Sequence, residues 1–178
     1  MIKLFLKLSL AFSILIMNTV FAQVAEISSP DGKLKLNVFS ENGKALYNVT
    51  FQGKAMLDKS PLGLVTNESD FSKNLKFIDS KKDKISKNYT NEKIKKSQVS
   101  YTANTLAVNF TNADNFNIGI EFRVSDNNVA FRYEIQPMKD RLSAVVQSEI
   151  TGYRFPSQTT TFLSPMMKPM TGFARTAP

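Results

Sequence analysis

The chain contains no His, no Cys and no Trp. Without His there is no Ser-His-Asp triad, no Cys-His pair and no imidazole metal site. Without Cys there are no disulfide staples, so packing alone must hold the fold. Glycine is sparse, with 7 residues in 178. Those residues are isolated and lie in turns, so no phosphate-cradling loop exists. No segment shows a convincing helical stripe of apolar residues. Trp, the side chain most used to stack on sugars, is missing, and most Phe and Tyr fall on predicted buried faces. Tyr89 and Phe173 are the exceptions and are expected in loops.

Residues 1–22 read as a secretory signal peptide. Lys3 and Lys7 form a short basic start, Leu8 to Met17 is mostly apolar, and Val20-Phe21-Ala22 supplies a cleavage site before Gln23. The apolar run is short for a membrane span, and no stop-transfer cluster follows it. The expectation is therefore export without a stable membrane anchor. With no Cys after the cleavage site, lipoprotein attachment is excluded. A Cys-free exported chain fits a bacterial periplasm, or secretion, better than a disulfide-dense secretome. Four Asn-x-Ser/Thr tripeptides (Asn48, Asn67, Asn88, Asn109) carry little weight in an Asn-rich sequence.

Gln23 to Pro178 leaves 156 residues, enough for one domain with a real core. The formal charge is +8, or +6 once Lys3 and Lys7 are removed. The surplus sits in residues 73–96, with nine Lys against Asp79, Asp83 and Glu92. Leu75, Phe77 and Ile78 suggest a short strand, and the remainder reads as a solvated Lys-rich insertion or loop. A polyanion- or envelope-binding patch is the competing reading. Arg, the better phosphate ligand, is absent there, and an exported protein meets little nucleic acid. No nucleic-acid partner is expected.

What the chain does have is period-two alternation, which puts one set of side chains on one face of a strand. Phe116, Ile118, Ile120, Phe122 and Val124 alternate, and Val129, Phe131, Tyr133 and Ile135 resume after Asp126-Asn127-Asn128. Pairing Val124 with Val129 sets Phe122 against Phe131, Ile120 against Tyr133 and Ile118 against Ile135. The same register puts Glu121 opposite Arg132 on the other face. Leu34, Leu36 and Val38 return through Asn42-Gly43 to Tyr47, Val49 and Phe51. Asn-Gly suits a type I′ turn, because both positions tolerate φ > 0. Gln52-Gly53-Lys54 predicts another turn. Val99, Tyr101 and Ala103 are expected to answer Leu106, Val108 and Phe110 across a turn at Asn104-Thr105. That gives a four-strand meander over about 97–136, with further strands at 149–155 and 159–163. Such one-sided strands need cover, and a second sheet is the simplest, giving an all-β antiparallel sandwich. Ser164 to Pro178 carries no closing strand, so the chain reads as part of something longer.

Chemistry is harder to find. Glu121, Glu134 and Glu149 are candidate carboxylates for glycoside hydrolysis, but their spacing picks out no pair. Glu121 already has Arg132 as a cross-strand neighbour. Asp126-Asn127-Asn128 has the composition of a calcium loop but neither its spacing nor its terminal Glu, and reads as a tight turn. Met166, Met167 and Met170 could offer thioethers to copper; a loop packing on another domain is the simpler reading.

Four motifs in order carry a resemblance: Ser29-Pro-Asp-Gly-Lys-Leu34, Ser60-Pro-Leu-Gly-Leu64, Asp126-Asn-Asn-Val-Ala-Phe-Arg-Tyr133 and Gly172-Phe-Ala-Arg-Thr176. Together they resemble the N-terminal domain of glycoside hydrolase family ninety-seven, exported bacterial α-glucosidases and α-galactosidases. The likeness spans Val24 to Pro178. One departure is Asn127-Asn128, where the family usually has Gly in the turn; Asn also tolerates the left-handed region.

The resemblance implies a β-supersandwich of glycosidase-type carbohydrate-binding fold, followed in the complete enzyme by a (β/α)₈ barrel with the catalytic carboxylates. It also implies a calcium ion near that active site, with no cofactor assigned to this chain. None of the barrel carboxylates maps here, so no catalytic residue is carried over; Asp126, Phe131, Arg132 and Tyr133 are carried over as scaffold. The implied partners are the catalytic barrel and an α-linked oligosaccharide, with Ser164 to Pro178 as the strip approaching the barrel. The expected function is a non-catalytic accessory domain that helps shape the sugar pocket. The alternatives are a stand-alone sugar-binding module and, third, a polyanion-binding protein acting through Lys73 to Lys96.

Overall fold

The computed structural model describes residues 22–90, 92, 97–137, 143–163 and 175–177. Among these, all regular structure is strand. The signal-peptide residues up to 21, Met166, Met167, Met170, Phe173 and most of the 164–178 strip lie outside the described residues.

Two antiparallel four-stranded sheets stack face to face. The first runs β1 (Ala22–Ser28), β2 (Leu34–Glu41), β3 (Lys44–Phe51), β4 (Lys54–Leu62) in spatial order. The second runs β6 (Lys76–Thr90), β7 (Gln98–Thr111), β8 (Asn117–Val124), β9 (Val129–Ile135). Between them in the chain lies β5 (Leu64–Thr66), which pairs with β10 (Val146–Glu149). Short β11 (Thr161–Leu163) and β12 (Arg175–Ala177) pair with each other.

The registers follow the alternation. Leu34 faces Phe51, Leu36 faces Val49 and Val38 faces Tyr47. Asn42 and Gly43 both take positive φ (50° and 71°), as a type I′ turn requires. Gln52 and Gly53 repeat that geometry at 50° and 80°. In the second sheet Val124 pairs with Val129, Phe122 with Phe131, Ile120 with Tyr133, Ile118 with Ile135 and Glu121 with Arg132. Asn127 and Asn128 need no left-handed backbone, because the four-residue loop closes with Ser125 N–H donating to Asn128 O at 3.0 Å. The buried faces of β2 and β3 meet those of β7 and β8 in one core, with Leu36, Val38, Tyr47, Leu106, Val108 and Phe122 at its centre. Each large side chain buried there contributes about 1.5–3 kcal/mol.

The 164–178 stretch is not strandless, since Arg175–Ala177 pairs with Thr161–Leu163 once the Pro- and Gly-rich run is passed. Two expectations about the second sheet also fail, and they fail together. Residues 76–90 are not a loop but the long edge strand β6, hydrogen-bonded to β7 throughout. Asn104-Thr105 is not a turn, because β7 runs unbroken from Gln98 to Thr111. A phase shift in an alternating pattern has two physical meanings: the chain reverses, or the apolar face changes side. Here it changes side. Leu106, Val108 and Phe110 point into the core, whereas Val99, Tyr101 and Ala103 point to the outer face. Thr105 was the warning, since a β-branched residue resists the φ > 0 of a two-residue turn. The sheet still has four strands, but the fourth is the Lys-rich segment. β6 is exposed along nearly its whole length. Lysines there keep an open sheet edge from pairing with other chains.

Candidate functional site

The first three motifs lie far apart in sequence but meet in space; Gly172 to Ala174 of the fourth lies outside the described residues. The turn after β1 is built on Asp31. Its Oδ1 accepts from Ser29 Oγ at 2.6 Å and from the Lys33 N–H at 3.1 Å, and Lys33 Nζ lies 3.1 Å from Oδ2. These donors, the Ser29 hydroxyl first, hold the Asp31 carboxyl down to about 2. The Asp31 N–H in turn donates to Asp126 Oδ1 at 2.9 Å, joining the first motif to the β8–β9 loop.

Tyr133 makes the second junction. Its hydroxyl accepts from the Gly63 N–H at 2.9 Å and pairs with Thr151 Oγ1 at 2.6 Å. Burial raises its pKa, so the phenol stays protonated. Gly63 is required by space. A Cβ there would sit 2.9 Å from Ser72 Cα and 3.0 Å from Phe71 O. Phe131 lies between the layers, with ring centroids 5.9 Å from Tyr47, 5.7 Å from Phe122 and 5.8 Å from Tyr133. The Tyr47 hydroxyl donates to Gly152 O at 3.2 Å, and burial pushes its pKa up to about 12.

Glu121 lies on the outer face of the second sheet with the partner the register required. Arg132 Nη2 is 2.5 Å from Glu121 Oε2 and 2.6 Å from Glu134 Oε1. Arg123, two residues along the same strand face, joins this pair without any signal in the alternation pattern. Its Nε donates to Glu121 Oε1 at 2.9 Å. That hydrogen bond, ahead of the Arg132 charge, lowers the Glu121 pKa. Glu121 and Glu134 are thus engaged by arginines on one face, whereas Glu149 lines a cleft elsewhere. The three do not face each other across a common space, so they form no acid/base pair for glycoside hydrolysis. Among the described residues no cluster of three or more His, Cys, Asp or Glu side chains comes together. Nor is any helix among them long and apolar enough to cross a membrane.

Among the described residues, the side where β4 and β9 approach carries the largest group of exposed apolar side chains. Residues 145–154 run along β5 and β4: Ile150 N–H donates to Gly63 O, Gly152 N–H to Pro61 O, and Asp58 N–H to Arg154 O, at 2.8–2.9 Å. The strand expected over 149–155 lies earlier, at Val146–Glu149; residues 150–155 follow as an irregular run held by these bonds, not as a strand. Between this run and β9 open two adjoining clefts. One, of about 410 Å³, is walled by Tyr47, Phe131, Tyr133, Glu149 and Tyr153. The other, of about 500 Å³, is walled by Phe51, Met56, Leu57, Val129 and Phe155. Met56, Val145, Val146, Ile150, Tyr153 and Phe155 are each more than two-fifths exposed. Large apolar patches of this kind mark contact with further protein or ligand. Nothing in the alternation pattern pointed to Thr151, Tyr153 or Phe155; their role depends on how the late chain folds back on β4.

Comparison with known proteins agrees with this architecture. The family model described as glycosyl-hydrolase 97 N-terminal matches residues 27–176. The crystal structure of a β-arabinopyranosidase is similar at 47% identity and a TM-score of 0.78, over 85% of this chain and 24% of that one. A glycoside hydrolase family 97 enzyme from Pseudoalteromonas sp. strain K8 is similar in fold, at 21% identity and a TM-score of 0.73, over 79% of this chain and 22% of that one. It was solved with panose and, separately, with acarbose. A sequence search of curated proteins gave no match. The chain spans about a quarter of the length of these solved relatives. By its matched length and its two-sheet fold, the chain belongs to the glycosyl-hydrolase 97 N-terminal family.

Proposed function

We propose that this chain works as the non-catalytic N-terminal domain of an exported glycoside hydrolase. It packs its open side against a catalytic barrel and helps shape the sugar pocket there. The observation that carries the reading is the open side itself. Its two clefts and its exposed Met56, Ile150, Tyr153 and Phe155 form a contiguous apolar surface. The hydrolytic carboxylates belong to the barrel, since Glu121 and Glu134 are tied to arginines here.

The resemblance pointed to an α-glucoside or α-galactoside. The 47% identity to a β-arabinopyranosidase favours a β-arabinopyranoside as the sugar handled by the assembled enzyme. Export follows from the leader-like first 22 residues and places the work in the periplasm or outside the cell.

The test is reconstitution. The 23–178 chain is mixed with the catalytic portion of that β-arabinopyranosidase, stripped of its own N-terminal domain. A stable complex with restored hydrolysis of an aryl β-arabinopyranoside is expected, and Tyr153→Asp with Phe155→Asp should prevent it. Absence of any complex at micromolar concentrations would remove the proposal. Hydrolysis of aryl α-glucosides instead would reassign the sugar and leave the domain's role intact.

A further inference from the structure

The face switch in β7 has a structural consequence. β8 pairs with β7 only over 104–111, whereas β6 pairs with it over 98–111. Ile85 to Thr90 and Gln98 to Ala103 therefore continue past the sheet as a two-stranded ribbon. One ribbon face is wholly polar: Ser86 opposes Thr102, Asn88 opposes Ser100 and Thr90 opposes Gln98. The other opposes Ile85 to Ala103, Lys87 to Tyr101 and Tyr89 to Val99. Ala103 is fully buried yet stands outside the main core, so the outer face has a small apolar cluster of its own. Ile85 and Val99 are half-covered, while Tyr89 is 52% exposed and Tyr101 about half-buried.

We propose that Tyr89 and Tyr101 form an accessory platform for a neutral oligosaccharide chain, on the outer face and away from the open side. The two tyrosines are diagonal neighbours on one face, about 7–8 Å apart at the backbone. That spacing suits successive rings of a glycan, and flat apolar ring faces with a hydroxyl at the tip suit stacked sugars. Lys87 lies between them as a hydrogen-bond donor. Area decides against a protein partner. Six residue pairs give a face of about 20 Å by 10 Å, roughly 200 Å², against about 800 Å² per side for a stable protein interface. Beyond the ribbon the outer face turns ionic at Glu121, Arg123 and Arg132, so the apolar patch does not extend.

Affinity electrophoresis of the 23–178 chain through native gels containing arabinogalactan or soluble starch tests this without any catalytic domain. Retardation in at least one gel is expected. Tyr89→Ala and Tyr101→Ala should each weaken it about tenfold, and Tyr89→Phe should retain it. Unchanged far-ultraviolet dichroism and unfolding midpoint would show that each variant still folds. Lys82→Gln combined with Lys84→Gln, both on the opposite face of β6, should leave retardation largely in place. No retardation in either gel, alanine variants that migrate like the parent, or loss only in the Lys variants would each overturn the platform. The reconstitution test is unaffected by any of these results.

Discussion

Tyr133→Phe removes one oxygen atom and little else, which makes it the sharpest probe of how the two sheets are joined. The hydroxyl accepts from the Gly63 N–H at 2.9 Å and bonds Thr151 Oγ1 at 2.6 Å. Gly63 is buried, with Ser72 and Phe71 filling the space where a side chain would stand, so its N–H has no direct access to water. Its N–H would be left without a partner, at a cost of about 1–3 kcal/mol. Thr151 is half-buried and can rehydrate, so its loss adds only about 0.5–1 kcal/mol. The sum, about 1.5–4 kcal/mol, corresponds to a melting temperature lower by roughly 3–16 °C for a chain of this size. Urea denaturation followed by far-ultraviolet dichroism measures it. Thr151→Val alone is expected to cost about 0.5–1 kcal/mol, and the double variant less than the sum of the singles, since both act on one hydroxyl. If Tyr133→Phe stayed within about 0.5 kcal/mol of the parent, the β9-to-Gly63 junction would not be holding the layers.

Gly63→Ala is expected to destabilise by about 1–3 kcal/mol through the clash with the Ser72 backbone, read as a lower urea midpoint at unchanged slope. Arg132→Ala is expected to cost at most about 1 kcal/mol, because its side chain is 60% exposed and Arg123 still holds Glu121; a larger loss in the same assay would contradict the geometry. The folded Asp31 carboxyl titrates near 2, below its ordinary 3.8, so its contribution is present above pH 4 and fades as pH falls toward 2. Asp31→Asn should flatten the stability–pH curve in that window, and an unchanged slope between pH 4 and 2 would refute the turn network. Lys81→Thr, Lys84→Thr and Lys87→Thr together should leave the unfolding midpoint nearly unchanged while hastening β-rich aggregation seen by thioflavin fluorescence, because the guard on the β6 edge is gone.

Where local pattern and burial agree, the sequence was readable. The Phe116-to-Ile135 alternation dictated the β8–β9 register residue by residue, and Asn42-Gly43 dictated the β2–β3 turn, because a period of two leaves one register that buries the apolar face. The Lys-rich stretch was not readable. An edge strand buries little, so its composition looks like that of a loop, and only its ladder to β7 shows what it is. The Asn104-Thr105 phase shift misled for a related reason: alternation tells which residues share a face, not which side of the sheet that face is on.

From sequence alone came the all-β class, the two hairpins with their pairings, the Glu121–Arg132 pair and the absence of a catalytic constellation of familiar type. These depend on contacts between neighbours in the chain or on residue types that are missing. The tertiary structure decided how distant motifs meet: Asp126 with Asp31, Tyr133 with Gly63 and Thr151, and the late run along β4 that leaves an apolar side uncovered. Those contacts span 18 to 95 residues. No local periodicity encodes a contact of that range; it exists only once the two sheets have stacked.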